Sequence, residues 1–317
     1  MLSMQRREFL TAAAAVGAAA LTKSALAEDK PAMIPAIDTH HHLWDLTKFK
    51  LGWLKKGAPL DAQFTPKEYA EATEGLNVVK SVYMEVDVVE EQQQAEVDYV
   101  IELCKSKKTP MVAAVVSGRP ASAGFAAYIA QFKDSKYIKG IRQVLHVDAT
   151  PAGFCLKKEY VAGIQALGEL GLSFDLCMRA ADLPDAAKLA DKCPDTRFIL
   201  DHCGNPKHEF TPEQTKQWKA DLAELAKRKN VVCKVSGFLA NGWPKGKWKA
   251  DDIAPVVNAT IDTFGVDRCM FGGDWPVVTL AGTYKEWLAA LREILSKRPE
   301  ADQKKVLHDN AAKFYGI

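Results

Sequence analysis

The chain has 317 residues and a formal net charge of +2, from 42 Lys and Arg against 40 Asp and Glu, with 48% hydrophobic and 26% charged residues. This near-average composition lacks the basic excess of a nucleic-acid binder and holds too many apolar residues for a disordered chain. Seven cysteines with no C-x-x-C pair are too dilute for a disulfide scaffold and argue against a zinc ribbon.

Residues 1–27 follow the plan of an export signal: Arg6-Arg7, the uncharged run Ala12 to Leu21, and Ala25-Leu26-Ala27 at the end. Ten helical residues cover about 15 Å, half of the roughly 30 Å hydrocarbon core, so this is not a membrane span. Arg6-Arg7 followed by Phe9-Leu10 resembles the twin-arginine signal read by the Tat export machinery. The expectation is cleavage after Ala27 and a periplasmic or exported chain of residues 28–317. Residues 1–27 hold three basic residues and one acidic, so the remainder carries 39 of each and is neutral.

From Pro35 onward short apolar runs alternate with amphipathic stretches. Strands are expected at Ala36–His40, Val79–Val86, Met111–Val116, Gly140–Leu145, Leu172–Cys177, Arg197–Asp201, Val231–Ser236 and Arg268–Gly273. Their Val, Ile, Phe and Cys fall on both faces, as in strands covered on both sides. Helices are expected at Glu91–Lys105, Lys158–Leu170, Pro184–Lys192, Pro212–Lys229, Asp251–Phe264 and Tyr284–Lys297, with a closing helix over Asp302–Phe314. Eight strand–helix units predict one domain of α/β class, a (β/α)8 TIM barrel. An open doubly wound sheet is the alternative, but the turn after its first strand is glycine-rich, and here it reads His40-His41-His42. The long connection from Leu43 to Phe64, with Trp44 and Trp53, is expected over the barrel mouth.

Barrel chemistry is built at the C-terminal ends of strands. Alternation puts His40 and His42 on one face and His41 on the other. His202 follows the sixth strand and Asp274 the eighth, which brings three imidazoles and a carboxylate to one level. Asp274, buried there, needs a metal, an imidazolium or an arginine beside it. Arg142 lies near the end of the fourth strand. Lys234, inside the seventh, either faces the site or points outward with its stem under a helix. Glu85, Asp175 and Arg179 fall near strand ends, with a facing uncertain by one residue. The cysteines read as small buried hydrophobes, mostly reduced. His146 and His308 read as structural or exposed, and His208 has only a weak claim on substrate. Trp243 and Trp248 are candidates for the mouth.

Asp38-Thr39-His40-His41-His42-Leu43-Trp44 resembles the first-strand signature of the amidohydrolase-related (family 2) proteins of the amidohydrolase superfamily. Gly140-Ile141-Arg142, Leu200 to Pro206, Cys233 to Gly237, Met270 to Val277 and Asn310 to Gly316 are similar to later blocks, in the same order. The likeness runs from about Ile37 to the C-terminus and points to the branch of sugar-acid lactonases such as L-fuconolactonase and L-rhamnonolactonase. It implies a metallo-dependent-hydrolase type of barrel that opens a lactone ring to the hydroxy acid. His40, His42, His202 and Asp274 would be metal ligands, Asp274 the base, and His202 and Arg142 its catalytic partners. Arg142, Lys234, Glu85, Trp44 and Trp275 form the implied substrate-binding set. The fourth strand ends without a bridging Lys or Glu and the fifth without His, so the resemblance leaves open one zinc-like divalent ion or none. The rival readings are a metal-dependent decarboxylase of an aromatic or unsaturated acid and a periplasmic barrel that only binds a sugar acid. In every reading the partner is a small molecule.

Overall fold

Strands that are apolar on both faces need cover on both sides, and a parallel sheet closed on itself inside a ring of helices supplies it. The structure, a computed structural model, describes residues 33–317; the expected leader and its cleavage point after Ala27 lie outside the described residues. Residues 34–317 form one unit. Its strands are β1 (Ala36–His41), β2 (Val78–Met84), β3 (Met111–Ser117), β4 (Ile138–Val144), β5 (Ser173–Cys177), β6 (Arg197–Leu200), β7 (Val231–Val235) and β8 (Cys269–Phe271). They pair in parallel in sequence order, β1 through β8. Each strand end falls within two residues of its expected position.

The helices are α1 (Pro66–Thr73), α2 (Gln93–Ser106), α3 (Phe125–Ala130), α4 (Lys158–Glu169), α5 (Leu183–Lys192), α6 (Pro212–Ala226), α7 (Ala250–Phe264), α8 (Tyr284–Leu295), α9 (Glu300–Lys304) and α10 (Asn310–Tyr315). Two of them, α1 and α3, were not expected. The signal for α1 is present in the chain: Thr65 caps the helix, Pro66 takes its first turn, and Glu68 returns a bond to the Thr65 backbone. The same device opens α6 at Thr211 and α8 at Thr283. The six-residue α3 carries no side-chain cap and leaves no such mark. The closing helix starts at Glu300 and is interrupted by a π-turn over Lys305–Asp309. After that turn, Asn310 Nδ2 donates to the carbonyls of Val266 and Cys269 and ties the helix to β8. Among the described residues no helix is long and apolar enough to cross a membrane.

A large apolar cluster lies between strands and helices, and a smaller one draws on Ile37, Val82, Met84, Val115, Ile199 and Met270 with Ala311 and Tyr315 of α10 packed against them. The β1–β8 seam is held by groups other than a regular ladder. Thr39 Oγ1 donates to the Phe271 carbonyl at 2.6 Å, Asp274 N to the His40 carbonyl at 2.6 Å, and His42 N to the Trp275 carbonyl at 2.7 Å. Asp38, fully buried, takes four donors: backbone N–H of His40 and Gly273 on Oδ1, and the hydroxyls of Tyr69 and Tyr284 on Oδ2. Gly272 and Gly273 let the two chains approach, since a Cβ on Gly272 would lie 2.8 Å from His40 Cβ and one on Gly273 2.7 Å from Asp38 Oδ2. The seam closes the barrel, and the open-sheet alternative falls.

Asp38→Asn keeps the shape but turns an amide NH2 toward groups that already donate. It should cost on the order of 3 kcal/mol, read as a lower urea midpoint with an unchanged slope; a midpoint equal to the parent's would refute the role of the carboxylate.

Candidate active site

A cavity of about 270 Å³ opens at the C-terminal ends of the strands. His42, Arg142, Cys177, His202 and Asp274 reach it from the ends of β1, β4, β5, β6 and β8, and Trp44, Trp53 and Leu60 of the long first connection form its outer wall. That connection covers the mouth as expected.

Hydrogen bonds to the imidazoles decide which nitrogens are available. His42 Nδ1 lies 3.0 Å from the carbonyls of both Met84 and Glu85, so it carries the proton and its Nε2 is an acceptor. His40 Nδ1 faces Asp201 Oδ1 at 3.3 Å, which likewise draws the proton to that side. The two Nε2 atoms then meet the same oxygen, Asp274 Oδ1, at 3.5 Å from His42 and 3.7 Å from His40. His202 binds Ser236 Oγ through Nδ1 at 2.9 Å. Gly237 leaves room for that ring, since a Cβ there would overlap His202 Nδ1. Three donor atoms, from His40, His202 and Asp274, come within 4.8 Å of one another. His42 is outside this trio, edge-on to the His40 ring at 5.0 Å between centroids and with its Nε2 on Asp274. Both His202 and Asp274 sit at positive φ (56° and 52°), a cost that the surrounding bonds must offset.

Burial keeps the imidazoles neutral, the form a ligand needs. Burial, then the Arg142 charge, lowers His42 to about 3, while burial holds His40 well below its ordinary value and also lowers His202. Burial raises Asp274 to about 6, against the opposing pull of His202 and Arg142. Asp201 goes the other way: burial would raise it, but Lys234 and His40 overcome this and hold it well below the carboxylate range. Glu85, Asp175, Asp201 and Asp274 therefore share the buried centre with two formal cations, Arg142 and Lys234. Burial raises Asp175 to about 7, which trims the negative excess, and it is the acceptor-only meeting over Asp274 Oδ1 that fits a dication.

Arg142 is more committed than its expected role of free substrate clamp allows. Its Nε donates to Glu85 Oε1 at 2.6 Å and its Nη2 to the Glu85 carbonyl at 2.7 Å. Only Nη1 turns to the centre, 3.3 Å from His40 Nε2 and 3.6 Å from Asp201. Glu85 itself does not line the cavity; it holds Arg142. Lys234 points inward but below the cavity, fully buried, where it binds Asp175 and lies 3.5 Å from Asp201. Neither its substrate role nor the outward alternative describes it; it supports Asp201 electrostatically. Trp275 is buried against Phe64 and Tyr69 and is not part of the cavity wall, whereas Trp44 is. Trp243 stacks on His208, Trp248 donates to the Ala281 carbonyl, and neither lines this cavity. Arg179 pairs with Asp182 and donates to the carbonyls of Val147 and Thr150, so it braces the wall at Val147 without lining the cavity itself. His41 faces outward as alternation requires, bonded to Ser81 and edge-on to Tyr69.

All seven cysteines are free and buried. Cys177 is more than filler: it lines the cavity with Sγ 3.2 Å from His146 Nδ1, and His146, read as structural or exposed, lines it too. Cys177 ends β5 and His146 follows β4 by two residues, so both lie where strand ends place functional groups. Asn205 and Asn241, joined by a 3.1 Å bond, complete the polar part of the wall.

A protein-family description, Amidohydrolase, matches residues 37–317. The chain is 28% identical over 290 residues to an L-fucono-1,5-lactonase of Burkholderia multivorans, covering 89% of this chain and 96% of that one. It superposes with a TM-score of 0.80 and 24% identity on a zinc-bound amidohydrolase from Burkholderia multivorans, covering 89% of this chain and 99% of the other. A manganese-bound 5-carboxyvanillate decarboxylase from Novosphingobium aromaticivorans shares the fold at a TM-score of 0.64 and 13% identity, over 89% and 96% of the two chains. The eight-stranded barrel, its strand-end cluster and the match over nearly the whole described chain make one conclusion: this protein is a hydrolase belonging to the amidohydrolase family.

Proposed function

We propose that the chain hydrolyses a lactone. Water adds to the ring carbonyl carbon, the ring carbon–oxygen bond breaks, and the ring oxygen takes up a proton to leave a hydroxy acid. The observation that carries this reading is the meeting of Asp274 Oδ1 with the free nitrogens of His40 and His42 at the floor of the cavity. The lactonase relative supports the ester class, and a sugar-acid lactone such as fuconolactone or rhamnonolactone is what such names suggest.

Asp274, raised toward neutrality by burial, takes the proton of the attacking water and returns it to the departing ring oxygen. Arg142 Nη1, the edge not held by Glu85, stabilises charge developing on the carbonyl oxygen. Asp201 and Ser236 hold the rings of His40 and His202 in their working tautomers. A zinc-like divalent ion held by His40, His202 and Asp274 would polarise the carbonyl and lower the pKa of its water to about 7. The decarboxylase reading has less support: among the described residues Arg142 is the sole Lys or Arg lining the cavity, and two of its nitrogens are spent on Glu85. We also propose that residues 1–27 are a twin-arginine export signal.

Asp274→Asn should lower kcat/KM on the best lactone by about 10²- to 10⁴-fold; near-parental turnover would sink the base assignment. Chelation should abolish hydrolysis, with zinc restoring it and about one ion per chain by elemental analysis; full activity in metal-free protein would exclude the ion. Gly237→Ala, which drives a methyl into His202, should lose metal and turnover together while circular dichroism shows the barrel retained. Mass spectrometry of exported protein should give Glu28 as its first residue; an uncleaved Met1 chain confined to the cytoplasm would reject the signal.

A further inference from the structure

The cavity wall has a chemistry that the lactone reading alone does not specify. Among the described residues four large apolar side chains are exposed, Met33, Trp53, Val79 and Val147, and two of them, Trp53 at 39% and Val147 at 40%, line this cavity. Exposed apolar side chains that converge on one concavity mark a surface reserved for an apolar ligand. Trp44, Leu60, Val86 and Val277 continue the same lining.

The polar groups around the mouth are largely bonded to the protein itself. Trp53 Nε1 donates to the Val86 carbonyl at 2.7 Å and Trp44 Nε1 to the Ala62 carbonyl at 2.8 Å, so both indoles offer the cavity only carbon. Asn205 Nδ2 donates to the Met178 carbonyl, and its Oδ1 accepts from Asn241 Nδ2. Asp87 is held by Arg119 Nη2 at 2.6 Å. Outside the catalytic cluster only His146 Nε2, Asn241 Oδ1 and the second Asp87 oxygen remain for a ring hydroxyl among the described lining residues, too few for a ring that carries several. Each unpaired group would then oppose binding.

We propose that the substrate is a lactone with an alkyl or aryl substituent, lodged against Trp53 and Val147, and not a polyhydroxylated sugar-acid lactone. This rests on the lactone reading. The reacting ester sits over Asp274, and the substituent points up the wall toward the mouth. The modest volume, about 270 Å³, at the lower edge of the roughly 300–1,000 Å³ usual for ligand cavities, limits the ligand to a small molecule.

The test uses the full-length metal-loaded enzyme with γ-butyrolactone, γ-hexalactone, γ-nonalactone and, as the hydroxylated member, D-glucono-δ-lactone. Across the alkyl series kcat/KM should rise about fourfold per added methylene, chiefly through KM, since each buried methylene contributes about 0.8 kcal/mol. The best alkyl lactone should exceed the gluconolactone at least tenfold. Trp53→Ala and, independently, Val147→Asn should flatten the rise, lowering the nonalactone-to-butyrolactone ratio several-fold. Faster turnover of the hydroxylated lactone would overturn this inference while leaving lactone hydrolysis standing. A rise that both variants leave unchanged would overturn the assignment to this wall. Turnover of none of the four would overturn the lactone reading itself, and this inference with it.

Discussion

The buried carboxylate of Asp38 is the constraint on which the site depends. In a parallel barrel the first and last strands are distant in sequence and must be brought together without a hairpin. Here β8 has only three residues, and beyond it a single bridge pairs His41 with Trp275. Asp38 reinforces that short seam by accepting from the backbone of both sides and from two tyrosine hydroxyls on α1 and α8. A buried charge is tolerable when its lone pairs are met, and an ion accepting several bonds is stronger glue than neutral pairs. The seam carries Asp274 to within reach of His40 and His42.

Around that meeting point the protein uses a second layer of acceptors to fix where protons are not. The carbonyls of Met84 and Glu85 and the Asp201 carboxylate hold the outer nitrogens of His42 and His40, so that lone pairs converge inward. Neither Asp201 oxygen accepts a well-aligned hydrogen bond, yet Lys234, Arg142 and His40 approach it at 3.3–3.6 Å. Its stability as an anion is thus electrostatic, supplied by two cations that are themselves anchored by Asp175 and Glu85. Lys234 in β7 and Glu85 just past β2 thus hold Asp201 and Arg142 without touching the cavity themselves.

Much of the fold was legible because its signals are local. Two-sided apolar runs mark all eight strands, and the Thr65-Pro66-Lys67-Glu68 box marks the start of α1. The site was legible to the level of strand ends: His40, His202 and Asp274 do converge. His42 stands apart from that trio because it sits one step past β1, where its ring is held back by two carbonyls. Cys177 was read by residue type as small filler, although its position at the end of β5 puts its thiol in the cavity wall.

By itself the sequence determined the alternation of strand and helix, the family blocks and the types of residue offered at the barrel mouth, since periodicity, caps and motifs act over a few residues. Only the tertiary structure decided that Lys234 turns in beneath Asp201, that Trp275 is packing and Trp44 wall, and that both indoles of the mouth spend their N–H on backbone carbonyls. Those outcomes depend on a one-residue choice of facing and on distances between strands up to some 230 positions apart, as in the pairing of Asp38 with Gly273. Such contacts are set by the closure of the barrel, and no local pattern encodes them.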